Sequence, residues 1–137
     1  MYKNILVPMA LDHDISSDTL EIAHALQEKG GKIVALHVYD TPQGVATAYL
    51  DEDTIASAYK AAKARLIEKV AHLDGVEAKI IQGHSSRTII DYADENKVDC
   101  IVIGSHRPDL RDYFLGSTAS RVVRHAKCAV HVYRREG

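Results

Sequence analysis

Tryptophan is absent from this chain of 137 residues and phenylalanine occurs once, so any core has to be built from aliphatic side chains. Hydrophobic residues make up 46% of the sequence, mostly Ala, Val, Ile and Leu, which is enough for a real core in one domain spanning residues 1–137. The two cysteines, Cys100 and Cys128, are too few for a disulfide framework and lack metal-ligand spacing. Each opens a short strand, and two buried free thiols are expected. No apolar run approaches the length of a membrane span. The N-terminal stretch MYKNILVPMALDHD reaches acidic residues after one short apolar run, unlike a secretory signal. Neither sign of charge dominates. With 17 Lys and Arg against 19 Asp and Glu, the formal charge of -2 favours neither nucleic acid nor an acidic membrane surface. A cytoplasmic protein that neither inserts into a membrane nor binds nucleic acid is the expectation. No internal repeat, low-complexity tract or interdomain linker interrupts the chain.

What is present is a regular alternation. Lys3 to Val7 (KNILV) is a short apolar run closed by Pro8, and Lys32 to Tyr39 (KIVALHVY) is a second, closed by Asp40, Thr41 and Pro42. Between them Leu20, Ile22, Ala23 and Leu26 recur at helical spacing. Ser16, Ser17 and Asp18 stand as candidate N-caps before that helix, and Gly30 and Gly31 as its stop. From about Asp51 to Leu73 the chain is rich in Ala, Lys and Glu without Gly or Pro, predicting the longest helix. Val76 to Gln82 is a third strand, followed by a helix for which Ser85 and Ser86 are candidate caps. Asp99 to Ile103 (DCIVI) is a fourth. Gly116 and Ser117 introduce the helix TASRVVRHAK, and Cys128 to Tyr133 (CAVHVY) is the last strand. Continuous apolar strands alternating with helices predict an α/β fold, a parallel sheet covered by helices on both faces.

In an open parallel sheet ligands bind beyond the carboxyl ends of the strands, where successive connections change direction. That selects Pro8 to Asp12, Val38 to Pro42, Gly83 to Ser86, and Gly104 onward. Gly104 and Gly116 allow close main-chain approach, and Ser117 with Thr118 stands at a helix start, where unpaired N–H groups and the helix dipole favour an anion. Arg107 and Arg111 lie between and are suited to phosphate oxygens. A phosphate chain fits this segment. A second reading of the same residues is punctuation: Gly104 ends a strand, Ser117 caps a helix, and the arginines are solvated. His84 and His106 also follow strands toward the cleft. No pair of the eight histidines has the spacing of a helical zinc motif, so no transition-metal site is expected.

The segments KNILVP, LHV (Leu36 to Val38), IVIGS (Ile101 to Ser105) and GSTASRVVRHAKCAVHVYR resemble, in order and along essentially the whole chain, those of the universal stress protein family. Nucleotide-binding members of that family carry Gly, two residues, Gly, nine residues, then Gly followed by Ser or Thr. This chain has Gly104, two residues, Arg107, eight residues, then Gly116 and Ser117. Arg107 thus stands in place of the middle glycine, and the loop is one residue shorter. The run beginning GSHRPD resembles a branch of small members that bind ATP. Where that family usually has Asp two residues after the proline of the first strand, this chain has Ala10, with Asp12 and Asp14 further on. Asp12 either reaches back to a ribose or a metal ion, or belongs to a solvated acidic turn.

The resemblance implies a doubly wound five-stranded parallel sheet in the order 3-2-1-4-5, of the adenine nucleotide alpha hydrolase-like kind. It implies ATP as the ligand, with Mg²⁺ bridging the phosphates if they are hydrolysed. Pro8, Met9 and Ala10 would border base and ribose, and Val38 would offer its main chain to adenine. Gly104, Arg107, Gly116, Ser117, Thr118 and Ala119 would hold the phosphates, and His106 would touch phosphate or ribose. It further implies a homodimer that pairs the C-terminal strand with its copy, covering an apolar sheet edge. No convincing catalytic base is visible, so a regulatory or stress-response ATP-binding protein with at most slow hydrolysis is expected. The alternative is a nucleotide-free stress protein that acts through a regulatory partner or chaperone-like contacts. An adenylating ligase would show SGGxDS or HxGH after the first strand, and neither is present. A phosphate-accepting receiver would need Asp where Gln82 and Gly83 stand, and a flavodoxin a Ser/Thr-rich loop where MALDHD stands.

Overall fold

The computed structural model describes residues 1–11, 15–39, 52–105 and 115–134. Among these, strands β1 (Tyr2–Pro8), β2 (Gln27–Tyr39), β3 (Val76–Gln82), β4 (Cys100–Gly104) and β5 (Ala129–Tyr133) alternate with helices α1 (Ile15–Leu26), α2 (Glu52–Val70), α3 (Ser85–Glu95) and α4 (Ser117–His125). The strands form one five-stranded parallel sheet in the order β3-β2-β1-β4-β5, as expected.

β1 takes the centre because its apolar run buries both faces: Ile5, Leu6 and Val7 are all 0% exposed. Ile5 and Val7 share one face with Ile33, Ala35, Cys100 and Val102, under Leu20 and Ala23 of α1 and Leu66 and Val70 of α2. Leu6 lies on the other with Val34, Leu36, Ile101 and Ile103, under Ile89, Tyr92 and Ala93 of α3 and Ala119 and Val122 of α4. Two helices on each face explain why the strands read as continuous rather than alternating runs. Each fully buried Leu or Ile contributes about 1.5–3 kcal/mol of burial free energy. Helix α2, though 19 residues long, buries only Leu66 and Val70, so its helix-forming composition carries its exposed turns.

Several element boundaries differ from expectation. Helix α1 stops at Leu26, short of the glycine pair, because Gln27 already pairs with Tyr2 and the register then jumps to Asn4 opposite Lys32. The glycines serve the register shift between β1 and β2 instead. Gly30 takes φ 80°, and a side chain on Gly31 would meet the carbonyl oxygens of Glu28 and Tyr2 at 2.9 and 3.0 Å. Ser16, Ser17 and Asp18 lie within α1, which begins at Ile15, rather than ahead of it. β5 begins one residue after Cys128. Both cysteines are free, but only Cys100 is buried, Cys128 being half-buried against the opposite face of the sheet.

The seam between β1 and β4 has only two register pairs, Ile5 with Cys100 and Leu6 with Ile101. Its foot is clamped by Asp99, whose carboxylate accepts the N–H groups of Lys3 and Asn4, both at 2.9 Å, while its own N–H donates to the Asn4 carbonyl at 3.0 Å. Asn4 Nδ2 in turn donates to the carbonyls of Asn96 at 2.7 Å and Lys97 at 3.3 Å. Those bonds hold the turn in which Lys97 adopts φ 55° between α3 and β4.

Asp99→Ala leaves two backbone donors of β1 without acceptors and should cost about 1–3 kcal/mol, read as a lowered urea midpoint with unchanged slope. Burial, with smaller contributions from Cys128 and Asp99, pushes the Cys100 thiol from 9.0 up to about 11. The folded chain therefore holds this proton more tightly than the unfolded one, so the stabilisation is complete below pH 9.0 and lost as pH rises toward 11. In pH-dependent denaturation, Cys100→Ala should remove ~2–3 kcal/mol of the wild-type decline across that interval.

Candidate functional site

At the head of the same seam, beyond the last β1–β4 pair, lies a cavity of about 340 Å³. It sits at the carboxyl ends of β1, β2 and β4, where the chain's connections reverse direction across the sheet. Pro8, Met9 and Ala10 form its floor with Leu36, His37 and Val38 on one flank and Ile103, Gly104 and Ser105 on the other. Helices contribute Thr19 from α1, Ser85 and Ile89 from α3, and Ser117, Thr118 and Ala119 from α4.

The segment after β1 is held at two points. Met9 donates its N–H to the Leu36 carbonyl at 2.8 Å, and the Met9 carbonyl accepts from His37 Nδ1 at 2.8 Å. A carbonyl brings no proton, so Nδ1 carries the hydrogen of this bond. Further along, Arg65 of α2 donates Nη2 to the Leu11 carbonyl at 3.0 Å. The floor is thus fixed by groups from β2 and α2.

The two helix starts are unusual in the same way. α4 has Gly116 at its N-cap with no side-chain capping bond, and its first internal bond runs from the Ser120 N–H to the Gly116 carbonyl at 2.9 Å. The N–H groups of Ser117, Thr118 and Ala119 therefore have no acceptor within their helix. α3 repeats this with His84 at its N-cap, again without a side-chain cap, and with the Thr88 N–H on the His84 carbonyl at 2.9 Å. The expected capping by Ser85, Ser86 and Ser117 is not observed, because each of these residues is already helical. Ser85 Oγ lies 3.3 Å from Thr118 Oγ1, joining the two helix starts, while Ser86 Oγ lies 3.4 Å from His84 Nδ1. Two positive helix ends and their hydroxyls meet at one cavity, an arrangement suited to an anion.

Of the residues expected from sequence, Pro8, Met9, Ala10, Val38, Gly104, Ser117, Thr118 and Ala119 line this one cavity. Gly116 stands beside it as the buried N-cap of α4. His106 and Arg107 fall outside the described residues, as do Asp12, Asp14 and Arg111. His84 is exposed and is not among the lining residues. Thr19, His37, Ser85 and Ser105 were not anticipated as a set. Thr19 is 1% exposed within an ordinary helical pattern and gives no sequence signal, whereas His37 stands inside the quoted LHV segment. None of the described lining residues is Asp, Glu, Lys or Arg. Among the described residues no cluster of three His, Cys, Asp or Glu side chains could hold a metal ion, and no helix is long and apolar enough to cross a membrane.

Known proteins share both sequence and fold with this chain. Universal stress protein G of Salmonella typhimurium is 30% identical over 143 residues, covering 98% of this chain and all of the relative. The structure of universal stress protein UspA from Lactobacillus plantarum superposes with a TM-score of 0.70 at 29% identity, covering 97% of this chain and 98% of that one. That of hypothetical protein MJ0577 gives 0.84 at 24% identity, covering 100% and 99%. Two further structures with this fold hold ligands: a universal stress protein in complex with cAMP (TM-score 0.68, 23% identity) and the Archaeoglobus fulgidus protein in complex with dAMP (0.62, 21%). The sequence pattern of the universal stress protein family matches residues 1–134, and the chain belongs to that family.

Proposed function

We propose that this chain binds an adenine nucleotide, ATP foremost, in the cavity at the head of the β1–β4 seam. The observation that carries the proposal is the meeting of two uncapped helix starts, with Ser85 Oγ and Thr118 Oγ1 3.3 Å apart, at the polar end of a pocket whose remaining walls are largely aliphatic. The aliphatic part, with Pro8 and the main chain of Val38, suits a purine base, and Met9 and Ala10 border the ribose. The phosphates lie against Gly104, Gly116, and the amides of Ser117, Thr118 and Ala119, with His106 and Arg107 completing the set by resemblance to the family. Relatives of the same fold holding cAMP and dAMP support adenine as the base. The described lining offers amides and hydroxyls but no carboxylate to activate water. The role is therefore a nucleotide-dependent regulatory or stress-response protein in the cytoplasm, with Mg²⁺ accompanying ATP and hydrolysis slow at most. Edge strand β5, which pairs only with β4 among the described residues, supports a homodimer built by pairing β5 with its copy.

Denaturing the purified protein and chromatographing the supernatant should release an adenine nucleotide, and added ATP should raise the melting temperature. Ser117→Pro, which deletes one first-turn amide at a position where proline is compatible with a helix, should weaken ATP by at least about tenfold with the helix intact. Arg107→Ala should also lower nucleotide content. No released nucleotide together with an unmoved melting temperature would favour the partner-binding alternative, and a monomer in light scattering at micromolar concentration would exclude the dimer.

A further inference from the structure

Tyr133, at the C-terminal end of β5, is bonded in two directions. Its carbonyl accepts the Ser105 N–H at 2.8 Å, and its phenol hydroxyl donates to Asp18 Oδ2 at 3.2 Å. Ser105 lines the cavity from the β4 side, and Thr19, the neighbour of Asp18, lines it from α1. Tyr133 is not itself a lining residue. It also pairs with Gly104, the last residue of β4 and part of the same wall. Asp18 is the acidic residue of the first turn of α1. The hydroxyl bond to that carboxylate is half-buried and joins the last strand to the first helix.

We propose that Tyr133 is a positioning residue for the nucleotide site: by bridging Ser105, just after β4, and Asp18 of α1, it sets the separation of the two walls before the ligand arrives. The proposal rests on the adenine-nucleotide reading above. A ligand entering walls already fixed does not have to order the first turn of α1, so less of its interaction energy is spent on ordering. Without the phenol hydroxyl, the first turn of α1 is held to the end of β4 by core packing alone, and the bound nucleotide leaves faster.

The test compares the full chain with Tyr133→Phe, Asp18→Ala, Asp18→Asn, and the double variant Tyr133→Phe with Asp18→Ala. Hydrogen exchange of α1 is followed without nucleotide, and ATP affinity is measured by calorimetry. Tyr133→Phe and Asp18→Ala should each accelerate exchange in the first turns of α1 and weaken ATP about three- to tenfold, the size of one ordinary hydrogen bond. The double variant should lose no more than either single one, and Asp18→Asn, which keeps an acceptor oxygen, should retain most of the affinity. Unchanged exchange in Tyr133→Phe overturns the tie. Accelerated exchange with unchanged ATP affinity, or fully additive losses, overturns the positioning role. A wild-type chain that binds no adenine nucleotide overturns the functional reading and the positioning role with it, while the exchange arm separates that failure from absence of the tie.

Discussion

The Asp99 carboxylate, holding the N–H groups of Lys3 and Asn4, secures the seam on which the architecture turns. β1 shares a longer ladder with β2 than with β4, yet the order β3-β2-β1-β4-β5 requires the chain to cross from one side of β1 to the other there. Two register pairs are a weak join for the centre of a sheet. Polar bonds at the foot compensate, and they leave the head of the seam open. There Pro8 to Ala10 and Gly104 to Ser105 face one cavity rather than each other. A longer ladder would have closed that space with backbone hydrogen bonds, so the clamp and the cavity are two ends of one compromise.

The cavity divides its labour by bond type. Aliphatic side chains at the ends of β1, β2 and β4 provide apolar surface, whereas the polar end consists of amides and hydroxyls at two helix starts. Such groups are dipoles fixed by the helix backbone. They favour an anion of a given shape without bringing a full opposing charge, and they cost little reorganisation when the ligand arrives.

Much of this was legible in the residues and some was not, for physical reasons. KIVALHVY and DCIVI read as buried strands because both faces are covered, and that alone implied helices on two sides. Gly104 at a strand end and Gly116 before a helix marked where the backbone could be approached. Ser85, by contrast, looked like a cap for α3, since a serine near a helix start does not reveal which partner its hydroxyl serves; its partner, Thr118, lies 33 positions away. Thr19 was hidden because its position differs from any core position of α1 only in what packs above it. The glycine pair at Gly30 and Gly31 misled by a few residues: a glycine turn ends a helix and makes a bulge by the same left-handed geometry, and only the pairing of Gln27 with Tyr2 decides between them.

The bond between Tyr133 and Asp18 spans 115 positions of sequence, and that separation bears on how the chain is made. During synthesis α1 leaves the ribosome long before β5, so the β1–α1–β2 portion can collapse while one wall of its cavity still lacks its brace. A half-built pocket with exposed aliphatic walls is an adhesive surface. The bonds of Tyr133 to Ser105 and Asp18 form only once the edge strand docks, so this side of the site is the last to be made as the chain is synthesised.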